Sequence, residues 1–212
     1  VVVFDLGGGT LDIAVVDIED SAFEVVAAGG DTFLGGLDFD ESISRWAMRL
    51  FREKCPNWEP GPFAMPRVRV AAEQAKIALT EKQIAPIFVP ALNSSDADGI
   101  DLNFDLSREQ LESLTAELLQ QSIERLQQVM DLAQDRPITK ALVIGGQSQM
   151  PRLKSTVLST LHQAEEAAID PLSSVVSGAA IFAASLVGDT QVELSERLNL
   201  AISIGLPDGT LH

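Results

Sequence analysis

The chain has 212 residues and a mass of 22.7 kDa, with 31 acidic against 15 basic side chains and a formal charge of −16 at pH 7. With 46% hydrophobic and 22% charged residues it can bury a core, which excludes wholesale disorder or a fibrous repeat, and the length allows one or two compact units. The acidic balance, with no run of Lys and Arg against it, disfavours sequence-independent binding to nucleic acid or to anionic membrane surfaces. The longest apolar stretch, Gly178 to Gly188, is too short for a bilayer span, and the single Cys55 can make neither an internal disulfide nor a thiolate metal site. A reducing, cytoplasmic setting is the expectation, as is a piece cut from something longer, because the chain opens in mid-strand without Met.

In chain order, VVVFDL, TLDIAVVDI and FEVVAAGG alternate as strands, joined by Gly7-Gly8-Gly9 and by a polar turn at Glu19-Asp20-Ser21, which predicts an antiparallel meander. After Gly35-Gly36 the period becomes helical, with Phe39, Ile43, Trp46, Ala47 and Leu50 on one face up to Cys55-Pro56. A Pro-rich connection to Pro66 leads to a second helix over Arg67 to Glu81. IAPIFVP and IDLNFDL, with a turn at Ser94 to Gly99 between them, predict a hairpin. Ser107 and Gln110 form a capping box that opens the longest predicted helix, whose stripe of Leu119, Ile123, Leu126, Met130 and Ala133 suits packing on a sheet. ALVIGG (141–146) returns to strand, followed by a helix from Ser148 to about His162. A last helix, Pro171 through Val187, is apolar nearly all round and is expected deep inside the fold. Beyond Asp189 a polar linker and one strand without an evident partner, containing ISIG (202–205), read as the start of a further domain.

Three places carry chemistry. Asp5-Leu6-Gly7-Gly8-Gly9-Thr10 sets bare backbone N–H groups and a hydroxyl in a turn between strands, where a phosphate can approach, and Asp5 and Asp12 flank it as possible partners of a hydrated magnesium ion. A glycine-rich hairpin turn explains the hexapeptide equally well. Gly145-Gly146 ends a strand and opens a helix, a layout that presents free N–H groups to a ligand or makes only a tight turn. Glu73, Lys76 and Thr80 fall at i, i+3 and i+7 of one helix, a row that can bond a base and ribose hydroxyls or form only an exposed Glu–Lys pair. The acids Asp40 and Glu41 are accounted for by the favourable charge at a helix N-terminus.

Taken together and in order, DLGGGTLDIAVV, GGDTFLGGLDFD, RVRVAAEQAKIALT, ALVIGGQSQMPRLKSTV and DPLSSVVSGAAIFAASLVGD resemble the second half of the ATPase domain of the heat shock protein 70 (DnaK-type) chaperones, from Val1 to about Asp189. The resemblance implies an α/β fold, the second lobe of an actin-like (ribonuclease H-like) ATPase. Its mixed five-stranded sheet with helices would come from residues 1–36 and 136–189 (subdomain IIA), a smaller α+β subdomain (IIB) would be inserted at 37–135, and 190–212 would be a linker and the start of a substrate-binding-like domain. It implies ATP or ADP with Mg as cofactors: Gly7, Gly8, Gly9 and Thr10 on the phosphates, Asp5 and Asp12 on hydrated Mg, Glu73, Lys76 and Thr80 on the adenosine, and Gly145 and Gly146 lining the adenine slot. Partners implied are the missing first lobe, co-chaperones and unfolded clients, in ATP-dependent protein folding. The sequence departs from the family at Leu37, Gln149 and Leu172, where Glu, Arg and Asp are usual, so the nucleoside end is eroded while the phosphate end is intact. A degenerate ATPase-fold module that binds a protein without turnover is the rival expectation, and a sugar kinase or filament protein of the same superfold ranks below both.

Overall fold

A computed structural model describes residues 1–92, 99–134, 136–162, 164–188 and 192–195. The expected turn at 94–98 and the ISIG strand lie outside these described residues.

Alternation at the start of the chain becomes β1 (Val2–Leu6), β2 (Leu11–Glu19) and β3 (Ala22–Asp31), paired antiparallel in succession. Val2, Phe4 and Leu6 of β1 are fully buried, and β1 is a central strand because β6 (Lys140–Ile144) pairs with it in parallel on its other side. Two short strands complete the sheet, β7 (Glu165–Glu166) beside β6 and β8 (Glu193–Ser195) beside β3, both parallel. The sheet is mixed, as expected, but has six strands in the order β7-β6-β1-β2-β3-β8 rather than five. Segments of two and three residues are too short to show a period-2 pattern, so the sequence hides such edges.

The remaining chain builds a second layer system. Helix α1 (Gly36–Lys54) buries Phe39, Ile43, Ala47 and Phe51 against α2 (Ala64–Ala78), and α2 lies on the antiparallel hairpin of β4 (Ile84–Val89) and β5 (Leu102–Ser107). Trp46 meets Phe104 edge-on and Trp58 meets Phe51, so both indoles serve packing.

Ser107 caps α3 (Arg108–Leu114): its hydroxyl accepts from the Gln110 N–H at 3.1 Å and its own N–H donates to Gln110 Oε1 at 3.0 Å. Ser107→Ala is expected to cost about 1 kcal/mol, read as a lower urea midpoint with an unchanged slope. The helix predicted to run on from Ser107 instead breaks at Thr115, whose hydroxyl bonds back to the Leu111 carbonyl at 2.8 Å, and α4 (Ala116–Leu132) restarts there and packs on β2 and β3. A 3₁₀ turn at Gln147–Gln149 precedes α5 (Pro151–Thr160), which starts at Pro151 and not at Ser148 because proline suits the first helical turn.

Helix α6 (Ser174–Leu186) overturns the expectation of deep burial. None of its residues is buried, and Val176 and Leu186 are 67% and 73% exposed. An apolar surface reports affinity for a partner without supplying one, and here α6 lies beside the β3/β8 edge, where Phe23, Ile181, Phe182 and Leu194 line a groove of about 290 Å³. Among the described residues no helix is long and apolar enough to cross a membrane.

Candidate functional site

The glycine turn is held from behind. Gly7 N–H closes it on the Thr10 carbonyl at 3.1 Å, while the carbonyls of Gly7 and Gly8 accept from Gly36 N–H at 2.9 Å and Leu37 N–H at 2.8 Å, the first amides of α1. Helix N-termini carry unsatisfied donors, so α1 and the turn satisfy each other. The carbonyls therefore face the helix, and the exposed amides of Gly8 and Gly9 make no backbone hydrogen bond among the described residues. Gly35 allows this approach: a Cβ there would fall 2.4 Å from Gly9 N. Asp38 fixes the entry to α1 by accepting the Gly35 N–H at 2.8 Å.

On one side of the turn, Asp5 and Asp12 are directly paired across β1 and β2. Thr10 Oγ1 donates to Asp12 Oδ2 at 2.9 Å. Burial and then the Asp12 charge push the Asp5 carboxyl up from its ordinary value. Among the described residues no group of three His, Cys, Asp or Glu converges as a metal site. Two adjacent carboxylates suit a cation that keeps its waters and takes other oxygens from a phosphate. Because the folded pKa of Asp5 lies above the unfolded one, ionisation of this group costs the ligand-free chain stability from the unfolded pKa upward, and in full above the folded pKa. Asp5→Asn is thus expected to raise the thermal midpoint at pH 7, with the gain shrinking as acid neutralises the native carboxyl; an unchanged or lower midpoint at pH 7 would contradict this.

Gly145 ends β6 against the same aspartate. Its φ is +86°, and a Cβ there would lie 2.4 Å from the Leu6 carbonyl oxygen and 2.5 Å from Asp5 Oδ1. Ser148 Oγ accepts the Leu6 N–H at 3.3 Å, so the 3₁₀ turn is tied to β1 directly ahead of the glycines. Leu172 hangs over Gly146, its Cδ2 3.9 Å from where a Cβ would stand, and is 74% exposed. Gln149 Nε2 is buried without a hydrogen-bond partner among the described residues.

The row on α2 is rearranged. Lys76 turns inward: Nζ donates to the Gly36 carbonyl at 2.9 Å and pairs with Asp40 Oδ1 at 2.9 Å. Glu73 stays on the surface and lines, with Leu37 and Val70, a groove of about 560 Å³. Thr80 leaves the row, because α2 ends at Ala78 and the Arg108 guanidinium takes the Leu79 and Thr80 carbonyls at 2.9 and 3.1 Å.

The structure thus links Asp5, Asp12, the Gly7–Thr10 turn, Gly145 and Lys76 by a chain of direct contacts, leaves Glu73 on the surface, and places Thr80 just past the end of α2. Two residues here carry no site role in the sequence reading, which assigned Asp40 to the charge of a helix N-terminus and passed over Gln147. Asp40 lies in a buried row with Ser44, Ala47 and Phe51 at helical spacing, and an acid within such a row requires a partner. Gln147 is 5% exposed, and its Oε1 has no partner among the described residues and lies 3.2 Å from where a Cβ on Gly36 would be.

A family model described as Hsp70 protein matches residues 1–211. The chain is 35% identical over 195 residues to the chaperone protein DnaK of Metamycoplasma hominis, covering 90% of this chain and 33% of that relative. It is 34% identical over 208 residues to heat shock protein hsp-6 of Caenorhabditis elegans, covering 96% and 32%. The chaperone protein DnaK of Stenotrophomonas maltophilia (strain R551-3) is 34% identical over 198 residues, covering 90% and 31%. The chain spans about a third of the length of these relatives.

Proposed function

The chain belongs to the Hsp70 family, and on that premise we propose that it is the second, ATP- or ADP-binding lobe of a DnaK-type chaperone ATPase, with residues 37–135 as its inserted subdomain. One observation carries the reading: the Gly7 and Gly8 carbonyls are taken by the first amides of α1, while the amides of the exposed Gly8 and Gly9 donate no backbone hydrogen bond among the described residues. Such fixed dipoles suit an anion at little reorganisation cost.

In this reading Gly8, Gly9 and Thr10 hold the β- and γ-phosphates, Gly7, expected beside them, spends its amide on closing the turn, and Asp5 and Asp12 receive the hydrated magnesium, whose chemistry is to neutralise phosphate charge. The mutual repulsion of the two carboxylates and the raised Asp5 pKa support that fit. Lys76 and Glu73 approach the nucleoside, with Gly145 and Gly146 along the base. Hydrolysis in the whole protein calls for groups from a first lobe that excludes water and completes the γ-phosphate site, and opening and closing of the two lobes would switch the grip on an unfolded client.

An amide chemical-shift titration with ADP and magnesium tests the reading. Shifts gathered at Gly7 to Thr10, Lys76 and Gly145-Gly146 are expected, and none at millimolar ligand in a well-dispersed spectrum would overturn it. A second reading, a protein-binding module without turnover, draws on Leu37 and Leu172, which stand 68% and 74% exposed where polar groups would serve a nucleoside. Partner affinity that is indifferent to ATP would favour it.

A further inference from the structure

Lys76 is one of the least exposed charged side chains of the cleft, and it does not stand there alone. Its ammonium pairs with Asp40 Oδ1 at 2.9 Å, with side-chain exposures of 12% and 7%. The same nitrogen donates to the Gly36 carbonyl at 2.9 Å, and the Gly36 amide in turn holds the Gly7 carbonyl at 2.9 Å. One continuous path therefore runs from the glycine turn through α1 to α2 and ends on the Asp40 carboxylate. Of the three ammonium protons one is donated to the Gly36 carbonyl, while Asp40 Oδ1 holds the charge as a close ion pair outside hydrogen-bond geometry, so donor capacity is left for a ligand. Gln147 Oε1, without a hydrogen-bond partner among the described residues, lies beside Gly36 as the Lys76 ammonium does and marks that corner as polar.

We infer that Asp40 is a positioning residue for nucleotide binding, which acts by holding Lys76 against the first turn of α1 with one N–H aimed into the cleft. The inference rests on the nucleotide reading given above. Lysine has a flexible four-carbon stem, and without an anchor its ammonium would swing to water, so a carboxylate at this distance fixes both place and direction. Burial pushes the Asp40 carboxyl up, the Lys76 charge opposes it, and the nearby Glu73 charge adds to the rise, so the two members of the pair depend on each other for their place inside. The sequence gives no hint of the pairing, since the two residues lie on different helices and Asp40 is also explained by its place near a helix start.

The test is a double-variant cycle on the intact protein, with ADP and inorganic pyrophosphate as ligands in calorimetry. Asp40→Asn and Lys76→Met are each expected to weaken ADP binding about tenfold, and the double variant should bind no worse than about twofold below Lys76→Met alone. Pyrophosphate, which lacks the nucleoside, should bind all four proteins within about twofold. A merely structural role for Asp40 would instead show as losses that multiply in the double variant, or as an equal loss of pyrophosphate, and either result overturns the inference. Should Asp40→Asn fail to fold with its buried ammonium unpaired, the double variant buries no unpaired charge, and a loss of ADP affinity beyond about twofold relative to Lys76→Met would show that Asp40 acts other than through Lys76 and overturn the inference. ADP binding that survives Asp40→Asn unchanged overturns this inference alone; no ADP binding by the parent protein overturns the nucleotide reading beneath it.

Discussion

Gly145→Ala is expected to lower stability by about 2–5 kcal/mol, a large part of what a domain of this kind possesses. Two costs combine. The φ of +86° is one that L side chains rarely adopt, and the new Cβ would stand 2.4 Å from the Leu6 carbonyl oxygen and 2.5 Å from Asp5 Oδ1. The neighbour that must yield is backbone of β1, the strand whose Val2, Phe4 and Leu6 are fully buried and which pairs with β2 on one side and β6 on the other. Relief would open the parallel β1/β6 pairing next to Asp5 or twist the 3₁₀ turn off its bond between Ser148 Oγ and the Leu6 amide. Urea denaturation followed by far-UV circular dichroism measures the loss, and thermal melting should fall by about 5–15 °C. A midpoint within experimental error of the parent would show that the approach of Gly145 to β1 does not matter to the fold.

How far the fold was legible follows from the same residues. β1 to β3 and the β4/β5 hairpin alternate over five or more residues, and α1 carries a long apolar stripe, so local pattern and tertiary environment agree there. The pattern failed where the deciding neighbour is distant in sequence. β7 and β8 are strands only because β6 and β3 offer free edges, and the break at Thr115 depends on one hydroxyl choosing the Leu111 carbonyl. The hydrophobicity of α6 was read correctly and its burial wrongly, because composition does not reveal whether a partner is present. In the site, the glycine turn and the two Gly-Gly pairs were visible as motifs, but their division of labour was not. Gly35 serves the turn, Gly145 serves β1, and Lys76 faces Asp40 and Gly36 before it can face any ligand.

Gly35→Ala separates binding from folding more sharply. Its backbone is extended, with φ −163° and ψ −177°, a conformation any residue adopts, so no torsional cost arises. The whole effect lies in the contacts of the added methyl group, 2.4 Å from Gly9 N, 2.5 Å from Gly9 Cα and 2.6 Å from Gly8 C, all of them backbone of the turn. No side-chain rotation relieves such contacts, so the turn must move off the N-terminus of α1 and lose its bonds from Gly36 N–H and Leu37 N–H. The two carbonyls would then be free to turn outward beside the amides, and a carbonyl oxygen repels the anion that an amide attracts. A displacement of about 1 Å at preorganised donors is enough to cost roughly a hundredfold in binding or rate, whereas the stability cost of one crowded methyl group on the buried Gly35, with an exposed turn to yield before it, is about 1–3 kcal/mol. The expected result is a variant that still folds, with dispersed amide signals and altered shifts at Gly8 and Gly9, and whose affinity for ADP with magnesium falls about a hundredfold in calorimetry. Retained affinity in a folded Gly35→Ala variant would mean that the anion-binding edge does not depend on α1, and the phosphate role of the Gly7–Thr10 turn would lose its physical basis.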